Sequence, residues 1–395
     1  MTNALDGLRV LDLTSGSFGY AGRLLAGLGA DVVKVEPPDG DAARRQPPFI
    51  GDQPDLERAA RHLHFNAGKR SVVLDLDIEP DREQLRALVG TVDAVVESLP
   101  VGYLAARGLG YDDLITRQSD LVMTSISYFG QTGPYAEWGG SDVVAMALGG
   151  YLYITGDPDR EPVKCYDNLI EQQTALQAAV ATMVGLTNRD FTGLGDYFDV
   201  SAQDAALFLL GGNAQTAYFA QKVYPRVGTR LLYPQPESFY PSTIRPCKDG
   251  FVHAHTNMRF PDLMTTLMEE PRFSEPDMLA TPMGHADEFD QLMDEWLSQH
   301  DKFEVVRRAQ ALRLPFTEVL TPTEIVADEH LQERGFLVEI EQPTGEHVRM
   351  PGAPITMTAT PWQPQAAPLL GQHTREVLDS LAGGQAAARG GTSDA

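Results

Sequence analysis

Leu8-Arg9-Val10-Leu11-Asp12-Leu13, a turn punctuated by Gly16, Gly19 and Gly22, and then Asp31-Val32-Val33-Lys34-Val35-Glu36 decide the fold. Each flanking run is short and almost continuously apolar, the pattern of a strand buried on both faces. Between them Ala21–Leu28 reads as a helix that ends at Gly29-Ala30, and Pro37-Pro38 stop the second strand. Strand, helix and strand in so short a span form one βαβ unit, the seed of a parallel sheet with helices packed on it.

The alternation continues outward from this unit. Ser71–Leu76 predicts a third strand, Pro80–Val89 a helix, and Ala94–Glu97 and Leu121–Ser127 two further strands. A long apolar helix follows over Gln172–Leu186, then a strand at Tyr197–Val200 and a helix at Ala202–Leu210. From about Tyr224 the character changes, because Pro225, Pro234, Pro236, Pro241 and Pro246 break the chain into short extended pieces. Cys247 to His255 reads as a hairpin with Asp249-Gly250 as its turn, and helical stretches follow to about residue 314. After Thr321 the βα style returns, with a helix near Thr323–Arg334 and strands at Phe336–Glu341, Gly345–Met350 and Ile355–Thr358. The expected fold is α/β: a large Rossmann-like domain over 1–222, a smaller inserted α+β domain over 223–320, and a return to the large domain over 321–382. The glycine- and alanine-rich tail, 383–395, is expected to be disordered.

The chain has 395 residues, beyond one ordinary domain. Its apolar fraction of 43% and charged fraction of 22% describe a globular protein with a substantial core. A formal charge of −24 argues against nucleic-acid binding and against anionic membranes, while leaving room for a small anionic ligand in a local cluster of cations or backbone N–H groups. No apolar stretch approaches the ~20 residues that span a bilayer. Met1 to Asp6 has neither the basic start nor the apolar run of a signal peptide, so a cytoplasmic enzyme is expected. Two cysteines, Cys165 and Cys247, make neither a disulfide framework nor a metal site.

The opening unit invites a nicotinamide reading, since Glu36 ends the second strand where a ribose-binding acid would sit. The glycines argue against it. They are spaced Gly16-x-x-Gly19-x-x-Gly22, whereas the dinucleotide fingerprint is G-x-G-x-x-G.

A different resemblance runs through the whole chain. Leu5-Asp6-Gly7-Leu8-Arg9-Val10-Leu11-Asp12-Leu13, Leu28 to Pro38 followed by Gly40-Asp41, Asn66-Ala67-Gly68-Lys69-Arg70-Ser71, Gly108-Leu109-Gly110-Tyr111, Ser127 to Tyr135, Arg189 to Gly195 and Pro368 to Thr374 form an ordered series of blocks. In these blocks, from about residue 5 to about 380, the chain resembles the class III CoA-transferases, the formyl-CoA and carnitine CoA-transferase type, or CaiB/BaiF-like family. The resemblance implies an interlocked, ring-like dimer, a homodimer or a heteromer of homologous chains. It also implies acyl-CoA and a carboxylic acid as substrates, with no metal and no permanently bound cofactor. The implied chemistry is covalent: a carboxylate attacks an acyl-CoA, giving a mixed anhydride and then an enzyme–CoA thioester.

For the nucleophile this chain departs from the family, whose aspartate begins the long helix. Counting back from Thr192-Gly193 and forward from Pro162-Val163-Lys164 both land on Glu171, with Asp167 four residues earlier. Glu171 is the first candidate and Asp167 the alternative. A glutamate carboxylate lies about 1.5 Å further out. Both acids also suit a purely structural role, Asp167 as an N-cap and Asn168-x-x-Glu171 as a capping box. The resemblance further implies CoA contacts at Gly16, Ser17, Gly19, Pro37, Asn66, Lys69, Ser98, Leu99 and Arg107, with Arg44 and Arg45 as additional cations, and an oxyanion loop at Gly130-Gln131. Glu97-Ser98-Leu99 replaces the family's usual E-N-F, and Gly140-Ser141-Asp142 lacks the histidine of a racemase branch. Two rivals stand beside the transferase: a non-catalytic subunit paired with a homologous catalytic chain, and a dinucleotide oxidoreductase. His253 and His255 alternate onto one strand face, which suits exposed polar side chains better than a substrate role.

Overall fold

The structure is a computed structural model that describes residues 3–223, 225–230, 240–256 and 262–381. The expected disordered tail and two of the prolines read above, Pro234 and Pro236, lie outside the described residues. The chain divides into two compact units, one built from the described parts of 1–149, 165–209 and 329–395, the other from 150–164 and 210–328. The division falls at 210 and 328, where 223 and 320 were expected, and 150–164 joins the second unit. The prolines that signal the change in the sequence begin at Pro225, sixteen residues after the chain leaves the first unit at Leu209, so composition marks the boundary late.

In the first unit, β1 (Arg9–Leu13), β2 (Asp31–Glu36), β3 (Arg70–Val73), β4 (Ala94–Glu97), β5 (Val122–Ser127) and β6 (Asp196–Ser201) form a six-stranded sheet in the order β3-β2-β1-β4-β5-β6. Every neighbouring pair is parallel. The continuous apolar runs have a direct cause, because both faces of the sheet are covered. Leu11, Val33, Val95 and Met123 face a core closed by α3 (Glu79–Val89), with Leu85, Leu88 and Val89, and by the helical turns at 374–381, with Val377. Val10, Val32, Val96 and Val122 face the opposite core, closed by α1 (Tyr20–Gly27) and α6 (Leu169–Thr192).

The long helix α6 extends beyond the expected Gln172–Leu186 at both ends, starting at Leu169 and running through the mostly polar turn Thr187 to Thr192 to the left-handed Gly193. Ala175, Ala178, Ala179, Thr182 and Gly185 form a small-residue stripe that brings it close to the sheet. A Cβ at Gly185 would stand 2.5 Å from the Phe198 ring, and Thr182 and Thr124 share a hydrogen bond of 2.8 Å. Shorter helices α2 (Ala60–Phe65), α4 (Tyr111–Leu114), α5 (Asp142–Leu148) and α7 (Ala202–Leu209) complete the unit's first part.

The second unit carries α8 (Asn213–Ala220), then an antiparallel sheet of β7 (Ser242–Cys247), β8 (Gly250–His255) and β9 (Thr317–Glu318). α9 (Asp262–Met268), α10 (Pro276–Ala280), α11 (Ala286–Leu297) and α12 (Lys302–Ala311) pack their Leu267, Met278, Phe289, Met293 and Val305 around Val252 and Phe316. Cys247 pairs with Gly250, so the hairpin turn is Lys248-Asp249, one residue earlier than expected. His253 and His255 stack at 5.9 Å between centroids, both half-buried, and His255 also meets the Ser242 hydroxyl.

The expected helix near 323–334 is two, α13 (Pro322–Ala327) and α14 (Glu329–Glu333), interrupted at Asp328, whose backbone is extended. β10 (Leu337–Glu341) and β11 (His347–Pro351) form the expected hairpin. Ile355–Thr358, expected as a strand, is irregular, since Pro351 and Pro354 just ahead of it lack N–H donors. The closing block docks on the edge of β3: Gly371 N–H donates to the Ser71 hydroxyl, His373 N–H to the Ser71 carbonyl, and Val73 N–H to the Thr374 hydroxyl. Among the described residues no helix is long and apolar enough to cross a membrane.

Candidate active site

The strand order reverses between β1 and β4, and the crevice beyond the C-terminal ends of such strands is where open α/β sheets hold ligands. A cavity of about 230 Å³ opens there, lined by Thr14, Ser15, Pro37, Asp41, Arg45, Asp75, Leu99 and Tyr103, among others.

Thr14, which lines it, is bonded to a buried ionic network. Asp12, at the end of β1, is fully buried and meets the Lys69 ammonium at 2.6 Å, and its other oxygen accepts from Thr14 at 2.8 Å. Lys69 also donates to the Gly19 carbonyl at 2.7 Å and to Asn66 at 2.9 Å. Burial alone would raise the Asp12 carboxyl, but Lys69 and then Lys34 outweigh it and hold it below the ordinary aspartate range. Gly22 is required at this point: a Cβ would stand 2.2 Å from the Asp12 carboxylate.

This arrangement corrects several expected contacts. Lys69 and Asn66 are buried beneath the turn and present no cation or amide to a nucleotide. Arg44 is fully buried in a two-point pair with Glu36, which also takes the Ser71 hydroxyl. Glu36 is therefore committed inside the fold and not offered to a ribose, which removes the main support for a dinucleotide. The cations at the mouth are Arg45, half-exposed beside Asp39, and Arg107, which lies over the Tyr103 ring at 3.6 Å and pairs with Asp77 at 2.6 Å. Pro37 and Leu99 line the cavity, and Ser98 accepts the Ser15 N–H at 2.8 Å, tying the β1 turn to the end of β4. Gly16 N–H points at the Asp41 carboxylate, 3.3 Å away.

From the cavity the turn runs on to Ser17, which is buried and meets Glu171. Glu171 lies in the first turn of α6 and is 8% exposed. It does not cap its helix. The carboxylate of Asp142, at the start of α5, takes the Ile170 and Glu171 N–H groups at 2.8 and 3.0 Å. Asp142 thus takes the part that the Asn168 side chain would play in the expected capping box, and the Asn168 amide turns to Glu171 instead. Its Oε1 accepts from the Tyr128 hydroxyl at 2.7 Å, and its Oε2 from the Asn168 side-chain amide at 2.7 Å. Burial pushes the Glu171 carboxyl above the ordinary glutamate range, against the pull of the Tyr128 and Ser17 hydroxyls. Asp167, the alternative nucleophile, sits at a positive φ of 62° and pairs with Arg61.

The Gly130-Gln131 loop does not form the expected oxyanion hole. Gly130 N–H donates to the Ser127 hydroxyl and Gln131 N–H to Asp199, at 2.8 and 2.7 Å. Tyr128, two residues earlier, was not singled out in the sequence. Its only signal there is Gly140, whose missing Cβ would stand 2.1 Å from the Tyr128 ring.

A second cavity, of about 510 Å³, lies on the other side of the 98–105 segment, lined by Glu97, Tyr111, Ser125, Gln131 and Tyr197, among others. Glu97 is 5% exposed, forms no ion pair among the described residues, and its Oε2 accepts the Leu99 N–H at 2.7 Å. Burial pushes its carboxyl up to about 7, against the pull of the Ser125 hydroxyl and the Leu99 N–H. A raised acid binds its proton more tightly in the folded state. The stabilisation it provides is complete below the ordinary value of 4.5 and is lost as the pH rises through about 7. The span corresponds to about 3 kcal/mol. Glu97→Gln, a neutral mimic, should remove this slope and raise stability at pH 8 by up to about 3 kcal/mol. Urea unfolding at pH 5 and pH 8 checks it, and an unchanged difference between the two pH values would refute the assignment.

The match to known proteins spans nearly the whole chain. A family model described as CoA-transferase family III matches residues 5–374. The chain is 31% identical over 386 residues to the succinyl-CoA:(R)-benzylsuccinate CoA-transferase subunit BbsE of Thauera aromatica, covering 94% of this chain and 92% of that one. It is 33% identical over 387 residues to the succinyl-CoA:mesaconate CoA-transferase of Haloarcula hispanica, covering 95% and 96%. The fold superposes with a TM-score of 0.86 on the crystal structure of a CaiB/BaiF family protein from Brucella suis, at 29% identity, covering 96% and 100%. A six-stranded parallel sheet, a crevice at its strand reversal, an acid at the head of the long helix and a family match over nearly the whole chain agree, and the protein belongs to CoA-transferase family III.

Proposed function

We propose that this chain moves CoA from an acyl-CoA to a free carboxylic acid, with the Glu171 carboxylate as nucleophile. Glu171 attacks the thioester carbon, giving a mixed anhydride and CoA thiolate. The thiolate attacks the glutamyl carbonyl, releases the donor acid and leaves an enzyme–CoA thioester. An acceptor acid then reverses the two steps. CoA enters and leaves as a substrate, and no resident cofactor is invoked. The observation that carries this reading is a buried carboxylate at the head of α6 held by two side-chain donors, the Tyr128 hydroxyl and the Asn168 amide, while Asp142 caps the helix. We assign the CoA nucleotide to the cavity beside Arg45 and Tyr103, where a phosphate can replace Asp39 on Arg45 and Asp77 on Arg107. The turn through Ser15 and Ser17 leads from there to Glu171. Succinyl-CoA is the donor to test first, since both curated relatives described above are named for it.

The same reading takes the first unit as Rossmann-like, the second as an insertion, and the assembly as a dimer of the interlocked, ring-like kind. Support for the dimer is an apolar groove of about 790 Å³ on α1 and α6, where Phe191 is 86% and Val180 56% exposed. With CoA thioesters as substrates, the cytoplasm is the proposed location.

A second reading, a non-catalytic subunit, is favoured by the glutamate itself and by the relative named as a subunit. One experiment separates the two. The purified chain, its mass measured by light scattering at micromolar concentration, is incubated with succinyl-CoA and mapped by peptide mass spectrometry. A dimer carrying a CoA thioester on Glu171 is expected. A monomer contradicts the assembly. A label on Asp167 moves the nucleophile, and no label, with activity only after a homologous chain is added, establishes the subunit reading.

A further inference from the structure

We infer that the Tyr128 hydroxyl is the oxyanion donor for attack on the glutamyl carbonyl, a catalytic role for a side chain outside the loop from which that donor was expected. The inference rests on Glu171 being the nucleophile. The backbone N–H groups of Gly130 and Gln131 are spent on Ser127 and Asp199, so that loop has neither to give. Tyr128 Oη stands 2.7 Å from Glu171 Oε1, within the range required of a donor to a developing oxyanion. The ring is fixed from two sides. Phe18 packs at 5.6 Å between centroids, and Gly140 leaves the space that a Cβ would fill 2.1 Å from the ring.

The two carboxylate oxygens then have different fates. Oε2 forms the new bond to the acyl carbon, and Oε1 remains as the glutamyl carbonyl oxygen of the anhydride. When the CoA thiolate bonds to Cδ, the carbonyl π pair moves onto Oε1 and the Tyr128 O–H meets a full negative charge. A hydrogen bond to an oxyanion is roughly twice as strong as one to a neutral carbonyl, so the gain falls on the transition state. On collapse the pair returns, the Cδ–Oε2 bond breaks, and the donor acid leaves with Oε2. The Asn168 amide on Oε2 is placed to follow that departing carboxylate.

The test is the single-turnover rate at which the CoA thioester appears on Glu171 after mixing with succinyl-CoA, followed by acid quench and mass spectrometry. Tyr128→Phe keeps the ring between Phe18 and Gly140, so melting temperature and CoA affinity should hardly move. The rate should fall about 10²–10³-fold. A fluorinated tyrosine at 128 keeps the shape but has a more acidic hydroxyl, and it should change the rate, which a merely structural ring would not. If the wild type forms the adduct and Tyr128→Phe forms it equally fast, the inference is overturned. If the wild type forms none, the nucleophile assignment has failed and this inference falls with it, an outcome the wild-type arm reports by itself.

Discussion

Glu171→Gln is expected to abolish transfer, lowering kcat on the order of 10⁴-fold or more, the scale set by removing a covalent nucleophile. The amide keeps the side chain's length and can still meet Tyr128 through its carbonyl oxygen, so CoA affinity and folding should be nearly unchanged. Any stability change should be slightly favourable at neutral pH, because burial works against the Glu171 charge and an amide carries none. Glu171→Asp is more informative about geometry. It withdraws the carboxylate by about 1.5 Å from the hydroxyl that now holds it at 2.7 Å. A displacement near 1 Å can lower a rate by about 10²-fold, and a loss of that size is expected if the pocket is built for the longer side chain. Steady-state kinetics with succinyl-CoA measure both variants. Full activity in Glu171→Gln would end the case for this carboxylate.

Lys69→Met is expected to destabilise the fold by about 3–5 kcal/mol, the effect of leaving a buried charge without its partner. Asp12 and the Lys69 side chain have no solvent exposure, and their 2.6 Å contact is the shortest that Asp12 makes to a cation; Lys34 stands at 3.8 Å. The methionine also strands the Gly19 carbonyl and the Asn66 oxygen, both of which Lys69 now satisfies. Since Gly19 belongs to the turn beside the cavity, weaker CoA binding should accompany the lost stability. The double variant Asp12→Asn with Lys69→Met should recover a good part of the loss, because it removes both charges and leaves Lys34 its contact with Asp41. Chemical denaturation of the four proteins closes this cycle. A double variant no better than Lys69→Met would show that the pair is not coupled as the distances imply.

The sorting of the four candidate cations explains what could be read in advance. Lys69, Arg44, Arg45 and Arg107 are equivalent as letters, each a positive charge near a block that suggests CoA. Burial separates them: Lys69 and Arg44 are consumed by Asp12 and Glu36, and only Arg45 and Arg107 reach the mouth of the cavity. The candidate nucleophile was narrowed in the sequence to Glu171, with Asp167 as the alternative, because the counts from Thr192-Gly193 and from Pro162-Val163-Lys164 meet at the start of the long helix. What caps α6 was not legible, since the carboxylate that accepts its first N–H groups belongs to Asp142, on another helix 29 residues away. Tyr128 was hidden for the same reason. Its place beside Glu171 depends on a contact spanning 43 residues.

By itself, the sequence determined the elements and the family. Strands buried on both faces must be apolar throughout, glycine and proline must stand where turns need them, and these are local demands that each segment records in its own residues. The tertiary structure decided which strand neighbours which, where the second unit begins, and which polar side chains are spent on the fold and which remain for chemistry. Those outcomes depend on pairings between distant segments, and the free energy of burying a charge is set by the group that faces it, which the charged residue's own neighbours in sequence do not specify.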